Sequence, residues 1–171
     1  MTEFAIREET WSDHRRVDAI VEAAFGRPNE AELVRTLRAS DLLQLSLVAE
    51  LSGAVVGHVF FSPVSVEGPA SSPPIAGLAP LAVAPEVQGL GAGSALVRAG
   101  LEACVPLGWQ AVFLVGSPAY YARFGFDLAA PLGFRYENES FDSAFQMLEL
   151  VPGALAGCAG WVRYHESFSK T

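Results

Sequence analysis

A glycine-rich segment is the part of the sequence whose residue types and spacing could bind an anion. It reads Gln88-Gly89-Leu90-Gly91-Ala92-Gly93-Ser94, so three glycines occupy alternate positions between an apolar run and an amphipathic stretch. Backbone N–H groups at the start of a helix have no intrahelical partner and can bind phosphate oxygens. Glycine lets the backbone approach such an anion closely. A simple tight turn, the alternative, would need only one or two glycines, so the pattern favours a phosphate site.

Three known phosphate-binding patterns can be compared with this segment. A Walker P-loop needs a lysine before Ser94, and Gly93 stands there instead. A dinucleotide-binding loop needs G-x-G-x-x-G and an acid about 20 residues later. Here the spacing is G-x-G-x-G, and no acid follows the next predicted strand, which ends at Val115. The pyrophosphate loop of acyl-CoA-dependent acyltransferases, Q/R-x-x-G-x-G/A, is matched by Gln88, Gly91 and Gly93.

A second motif, rich in aromatic residues, follows the next predicted strand. It reads Pro118-Ala119-Tyr120-Tyr121-Ala122-Arg123-Phe124-Gly125-Phe126, so a tyrosine precedes Gly-Phe by four residues. The apolar residues Leu81-Ala82-Val83 lie before the glycine-rich segment. With these segments in this order, the sequence closely resembles the GNAT superfamily of N-acyltransferases, and within it the bacterial YhbS-like branch. The core of the resemblance covers about residues 46–126.

The resemblance implies a fold and a co-substrate. The fold would be a single α/β domain with a mixed, mostly antiparallel central sheet, helices on both faces, and strands four and five splayed apart. The co-substrate would be acetyl-CoA, with no metal, and its pantetheine arm would lie between those two strands. Backbone groups of Leu81, Ala82 and Val83 would then bind the pantetheine amides. Backbone N–H groups of Gln88, Gly89, Leu90, Gly91, Ala92, Gly93 and Ser94 would hold the pyrophosphate, and Gly116, Ser117, Tyr120, Tyr121 and Phe124 would line the thiol end.

The reaction implied by the resemblance is attack of a primary amine on the coenzyme A thioester through a tetrahedral intermediate. A backbone N–H near Ala82 would stabilise the charge that develops on the carbonyl oxygen. Tyr121 stands at the position of the family's general acid. A phenol with a pKa of about 10 can donate to a thiolate whose thiol pKa is about 8.5. The alternative for Tyr120 and Tyr121 is aromatic packing beside Phe124 and Phe126.

The general base stays open. An alkylamine with a pKa of about 10.4 is mostly protonated at neutral pH and must lose a proton before it attacks. The family often places an acid on strand four, yet residues 78–83 contain none. Glu32, Glu50, His58 or a water molecule could serve instead, whereas Glu86 is typical of a solvated loop acid. The missing acid supports a competing hypothesis, a non-catalytic acyl-CoA sensor or partner-binding domain; a nicotinamide-dependent oxidoreductase is disfavoured by the glycine spacing.

Composition narrows the class of protein further. The 171 residues suit one domain, and a hydrophobic fraction of 51% with 18% charged residues argues against disorder. Eleven basic and 19 acidic side chains give a net charge of −8, which disfavours nucleic-acid and anionic-membrane binding. The acidic start lacks the pattern of a secretory signal, so we expect a cytoplasmic protein. Cys104 and Cys158 are then expected to be reduced, packed thiols.

The charge is uneven along the chain, and this bears on the acceptor. Residues 75–125, which hold the coenzyme motifs, have two acids and two arginines, whereas residues 1–74 carry a net −5 and residues 126–171 a net −3. Acidic flanks weakly favour a cationic acceptor, either a small-molecule amine or a protein amino group. The chain could be a monomer or a homodimer, with Trp161, Tyr164 and Phe168 either at a dimer edge or packed in the last strand.

The elements that must position these residues follow the order βααβββαβαββ. Strands are predicted at about 4–7, 46–51, 54–61, 75–83, 110–115, 144–150 and 160–164, and helices at 12–24, from 30, at 91–104 and at 118–123. Ser52-Gly53 is expected to form a hairpin turn. The continuous apolar run of 75–83 is typical of a strand covered on both faces. We find no internal repeat or linker, so 1–171 is expected to form one domain.

Overall fold

A computed structural model of the chain describes residues 2–170. The strands are β1 (Ala5–Glu8), β2 (Leu45–Leu51), β3 (Ala54–Glu67), β4 (Ile75–Val83), β5 (Ala111–Val115), β6 (Asp127–Leu128), β7 (Phe134–Arg135), β8 (Phe145–Glu149) and β9 (Gly160–Arg163). The α-helices are α1 (His14–Phe25), α2 (Asn29–Arg38), α3 (Ala92–Cys104) and α4 (Pro118–Tyr121). Short 3-10 helices lie at Trp11–Asp13, Pro85–Val87, Ala122–Phe124, Ala130–Leu132, Glu139–Phe141 and Glu166–Lys170.

The chain forms two compact units, and strands β3 and β4 each run through both. The first unit contains the chain up to Ser62, Leu78–Ala103 and the residues from Glu166 onward. The second contains Pro63–Gly77 and Cys104–His165. The strand order is β1-β2-β3-β4 in the first unit and β3-β4-β5-β8-β6 in the second.

In the first unit, the β2–β3 hairpin closes as the sequence predicts. Ser52 and Gly53 have φ values of +52° and +81°, so both residues of the two-residue turn are left-handed. This is the backbone of a type I′ turn, whose twist matches that of the flanking strands. The register shifts at Ala49 and Glu50, where a bulge lies. The hairpin brings β3 into the centre of the first unit.

Helices cover both faces of β3 in the first unit. Phe60 packs with Leu33, Val34 and Leu37 of α2. The ring of Phe61, the next residue, lies against Gly100 of α3, where a β-carbon would clash with it. Because successive strand residues point to opposite faces, α2 and α3 lie on opposite sides of β3. This confirms the prediction of helices on both faces for this unit.

In the second unit, the sheet is mixed, as predicted. Strand β5 pairs in parallel with β4, through Ala76–Val112 and Gly77–Phe113, and antiparallel with β8 over its whole length. The core of this unit is aromatic: the ring of Phe113 stacks on Phe145 at 5.5 Å between centroids. Among the described residues, the β4–β5 ladder joins only those two pairs, at the N-terminal ends of both strands.

The structure differs from the sequence prediction in three places. Strand β3 continues past Pro63 to Glu67 because β9 pairs with Ser65, Val66 and Glu67, a partner about 100 residues away in the chain. Strands β6 and β7 have two residues each, too short for a periodic pattern. The final 3-10 helix was not predicted; its Phe168 packs against the α2 cluster.

Two of the three aromatic side chains that could form a dimer edge pack within the chain, and the oligomeric state stays a prediction. Phe168 packs against the buried cluster of α2, and Tyr164 packs against the core of the second unit, where its ring lies beside Gly77. Trp161 is exposed, and the guanidinium of Arg163 lies 5.6 Å from its ring centroid. Ordinary packing therefore explains Tyr164 and Phe168.

Within residues 2–170, no helix is both long enough and apolar enough to cross a bilayer.

Candidate functional site

The predicted site residues fall into two groups, one in each unit. The first group lies at the exit of β4, where the 3-10 turn Pro85–Val87 leads into the glycine-rich segment. Ala84 donates its N–H to Val56 O at 2.8 Å, which ties the start of the loop to β3. Gln88 donates its side-chain Nε2 to Val83 O at 2.9 Å. The glutamine side chain therefore holds the loop against the last residue of β4, and the loop has a defined shape.

Two glycines give the loop its shape and leave space outside it. Gly89 and Gly91 have φ values of +83° and +101°, in the left-handed region that favours glycine. Apart from the glycine and its two chain neighbours, no residue has an atom within 4 Å of where a β-carbon at either position would stand. The space beside the backbone is therefore open to an incoming group.

The same loop ends as the N-terminus of a long helix. Gly91 O accepts from the N–H of Ala95 at 3.0 Å, so Gly91 is the N-cap and α3 begins at Ala92. The N–H groups of Ala92 and Gly93 precede that first i→i−4 bond and lie in the first turn. With the positive end of the helix dipole they can bind an anion without a charged side chain. This geometry fits a pyrophosphate.

The residues of β4 before the loop offer backbone only. Leu81 and Val83 are half-buried, and Ala82 is buried between them. No titratable side chain occurs in Leu78–Val83, so this part of β4 can contribute N–H and C=O groups alone.

The second group surrounds α4 in the second unit. Ser117 caps the helix, since its Oγ accepts from the N–H of Tyr120 at 3.4 Å. Tyr121 is buried, and its ring lies directly on Gly116, where a β-carbon would stand 2.5 Å from Cε2. Its ring centroid is 4.9 Å from that of Tyr120, in an edge-on arrangement. The ring of Phe126 is 5.8 Å away. Tyr121 is thus held in one position by glycine and aromatic neighbours.

Burial also shifts the pKa of Tyr121. It raises the pKa of the phenol to about 12, and the neighbouring Tyr120 adds a smaller upward effect. Tyr121 therefore keeps its proton at neutral pH and can serve as a proton donor. Tyr120 is half-buried and differs in its contacts: the guanidinium of Arg123 lies 4.3 Å from its ring centroid, and Arg123 Nε donates to Tyr120 O at 2.8 Å.

Gly116→Ala is expected to displace Tyr121. The added methyl group would overlap the ring, which has aromatic neighbours on its other sides, so we expect a loss of about 1 to 3 kcal/mol in unfolding free energy. Thermal unfolding monitored by circular dichroism measures this loss. In a Tyr121→Leu background, where the ring is absent, the same glycine substitution should cost clearly less. Equal losses in both backgrounds would contradict the packing of Tyr121 on Gly116.

Gln146 was not predicted as a site residue from the sequence. It lies on β8 with 1% of its surface exposed, and its Nε2 donates to Gly116 O at 3.0 Å and to Ala144 O at 3.2 Å. No motif marks it. The available signal was a single amide side chain in the apolar run of the predicted strand 144–150.

The candidate bases Glu32 and Glu50, and the loop acid Glu86, have different surroundings. The carboxylate of Glu50 is already engaged in an ion pair with Arg7. The same guanidinium also binds Asp13 at 2.8 Å. Glu32 is exposed on α2, and Glu86 lies 3.5 Å from Arg16 on the surface of the loop. Of the candidate bases, the exposed Glu32 and a water molecule could reach a substrate, and the identity of the base stays a prediction.

His58 is enclosed in the first unit rather than exposed to substrate. It is 0% exposed on β3, and its Nε2 lies 2.7 Å from Ser46 Oγ and 3.8 Å from Glu9 Oε2. Burial lowers the pKa of His58 to about 3, with smaller contributions from the charges of Arg38 and His14. The neutral imidazole is therefore the stable form in the fold.

The buried imidazole predicts an acid-dependent loss of stability. The unfolded chain binds a proton at His58 below about pH 6.5 and the folded chain does not, so stability falls as the pH drops from 6.5 towards 3. Between pH 7 and 4.5 the loss should be about 2 to 3 kcal/mol, or about 5 to 10 °C in Tm. Melting curves of the wild type and of His58→Gln over this window measure it. A slope unchanged in the variant would assign the effect to other groups.

Neither a disulfide nor a metal cluster occurs among residues 2–170. Cys104 and Cys158 are unpaired, and burial raises the pKa of the Cys104 thiol to about 12. No group of three or more His, Cys, Asp or Glu side chains in this range is arranged to hold a metal ion.

The sequence of this chain matches a known protein family and known relatives. The model of the acetyltransferase (GNAT) family matches residues 5–126. Over 166 residues the chain is 42% identical to the uncharacterized N-acetyltransferase YhbS of Escherichia coli strain K12, and the match covers 96% of this chain and 98% of that protein.

Solved structures show the same likeness. The crystal structure of YhbS from Escherichia coli in complex with CoA superposes with a TM-score of 0.91 at 40% identity, covering 99% of this chain and 93% of that one. A GNAT family acetyltransferase from Brucella melitensis in complex with acetyl-CoA gives a TM-score of 0.79 at 35% identity, covering 98% and 99%. Both matches extend over nearly the whole chain, beyond the two motifs.

Proposed function

Because the chain belongs to the GNAT family of acetyltransferases, we propose that it transfers the acetyl group of acetyl-CoA to a primary amine. The observation that carries this proposal is the loop of Gly89 and Gly91, open on its outer side and continuous with the N-terminus of α3. Coenzyme complexes of two similar proteins support it. Acetyl-CoA would supply a thioester, whose carbonyl carbon is open to attack by an amine.

The residues of the first unit fit the binding of the coenzyme. Backbone N–H groups of Gln88–Ser94 bind the pyrophosphate, and the helix dipole of α3 adds to the attraction. Leu81, Ala82 and Val83 offer backbone groups to the pantetheine amides. The N–H near Ala82 stabilises the charge on the carbonyl oxygen in the transition state. The short β4–β5 ladder supports the proposal that the two strands diverge.

Residues of the second unit serve the thiol end. Tyr121 donates its proton to the sulfur of the leaving group as the C–S bond breaks. The buried phenol is in the protonated form that this role requires, since its pKa is about 12. Gly116, Ser117, Tyr120 and Phe124 line the same end, and Gly116 lets the Tyr121 ring approach the backbone.

The acceptor is a primary amine, on a small molecule or a protein, and a cationic acceptor is favoured. The support is the acidic charge of the flanking segments, net −5 in residues 1–74 and −3 in residues 126–171. A reducing cytoplasm is the proposed location, since both thiols are unpaired. A non-catalytic acyl-CoA sensor is the second candidate, and the observation that favours it is the absence of an acid in Leu78–Val83.

Two measurements separate these functions. Saturating acetyl-CoA should raise the Tm and give a heat of binding by calorimetry under either hypothesis; the absence of both would overturn both. Thiol release is then followed with a panel of diamines, aminoglycosides, amino acids and lysine peptides. Amine-dependent release of CoA supports the transferase, whereas binding without release for every amine supports the sensor.

A further inference from the structure

The end of β5 is held by a side chain where the strand ladder stops. The β5–β8 pairing ends at Val115 with Phe145, and Gly116 adds one more bond by donating its N–H to Ala144 O at 3.0 Å. The carbonyl of Gly116 lies beyond the last ladder pair. It accepts from Nε2 of Gln146 at 3.0 Å, a side chain from the neighbouring strand.

Gln146 uses its amide group as a clamp. The same Nε2 donates to Ala144 O at 3.2 Å, so one amide binds the residue that follows β5 and the residue that precedes β8. The side chain is 1% exposed, and water cannot easily replace these bonds. A buried carbonyl without a hydrogen-bond donor is costly, so the side-chain amide is held with Nε2 directed at these two carbonyls.

The clamp acts on the residue that supports Tyr121. Gly116 is the surface on which the Tyr121 ring lies, close enough that a β-carbon there would stand 2.5 Å from Cε2. The next residue, Ser117, caps α4, and its carbonyl accepts from the N–H of Tyr121 at 3.1 Å. A rotation of the Gly116–Ser117 peptide would therefore move both the support of the ring and the start of its helix.

We propose that Gln146 is a positioning residue that holds Tyr121 in place through Gly116. This inference rests on the proposed function, in which Tyr121 donates a proton to the leaving thiolate. Gln146 itself touches no reacting atom. Its contribution is the fixed orientation of the peptide after Gly116, and a small displacement of a donor at a reacting centre can lower the rate substantially.

The test is Gln146→Met, which keeps the length and volume of the side chain and removes both hydrogen bonds. The matched control is Gln44→Met, because Gln44 Nε2 likewise donates to two carbonyls, Leu37 O at 2.9 Å and Leu42 O at 3.3 Å, in a loop of the first unit. Both variants should lose some Tm. Only Gln146→Met should lower kcat, by about tenfold, with KM for acetyl-CoA within about twofold of the wild type.

A double-mutant cycle shows whether the effect passes through Tyr121. In a Tyr121→Phe background, Gln146→Met should change kcat by less than about twofold, since the group that it positions is already absent. A tenfold loss in both backgrounds would overturn the proposal and leave Gln146 a purely structural residue.

A spectroscopic measurement keeps the test independent of turnover. The chain has four tyrosines, so ring resonances from ¹³C-labelled tyrosine can be resolved, and Tyr121→Phe assigns the one of interest. In Gln146→Met the Tyr121 resonance should shift or broaden while that of Tyr164 stays in place. An unmoved Tyr121 resonance would overturn the positioning even if no amine is acetylated, whereas absent turnover with a moved resonance counts against the proposed function alone.

Discussion

Tyr121→Phe is expected to lower kcat about 100-fold while the affinity for acetyl-CoA stays within about twofold of the wild type. Removing the phenolic oxygen removes the proton donor to the leaving thiolate, and general acid–base catalysis typically contributes about 10²-fold or more. The lower end of that range applies because a thiolate is a good leaving group. The ring, and with it the packing on Gly116, is retained, so the fold should be unchanged.

The measurement is steady-state thiol release with the best amine, beside calorimetric binding of acetyl-CoA. Tyr136→Phe is the matched control, since Tyr136 is a half-buried tyrosine of the same unit outside the proposed site. It should leave kcat unchanged. Burial raises the pKa of Tyr121 to about 12. At pH values under about 10, ionisation of this phenol should therefore cause no loss of rate. Full activity of Tyr121→Phe would remove the acid role.

The second large effect is expected at the glycine loop: Gly91→Ala should raise the Kd for acetyl-CoA about 10- to 100-fold. At φ +101° an alanine is strained, and relief of that strain would turn the backbone and its N–H groups away from the pyrophosphate. The methyl group would also stand in the open space beside the loop, where no residue beyond the two chain neighbours has an atom within 4 Å.

Gly108→Ala is the matched control for strain. Gly108 has φ +91° and equally open surroundings, but it lies in the turn between α3 and β5. Both variants should lose similar Tm, since the backbone cost is similar. Titration calorimetry should then show weakened binding for Gly91→Ala alone. Equal affinity in both variants would place the pyrophosphate elsewhere.

The sequence by itself determined the elements whose signals are local. Strand β4 lies at Ile75–Val83, the predicted bounds, because an uninterrupted apolar run between turn residues is a strong strand signal. The turn at Ser52-Gly53 was likewise predictable, since its left-handed backbone depends on those two residues. The glycine loop was recognisable because three glycines at alternate positions permit a backbone that other residues rarely adopt, and Gly89 and Gly91 do adopt it.

The tertiary structure alone decided the state of the titratable side chains. Glu50 and His58 looked available as bases in the sequence, but Arg7 pairs with the first and the packing around β3 encloses the second. Tyr121 has its raised pKa because the fold buries it, and Gln146 meets Gly116 across 30 residues of chain. Periodicity and φ preferences depend on neighbours in the chain, whereas pKa and hydrogen bonding depend on neighbours in space, which folding alone brings together.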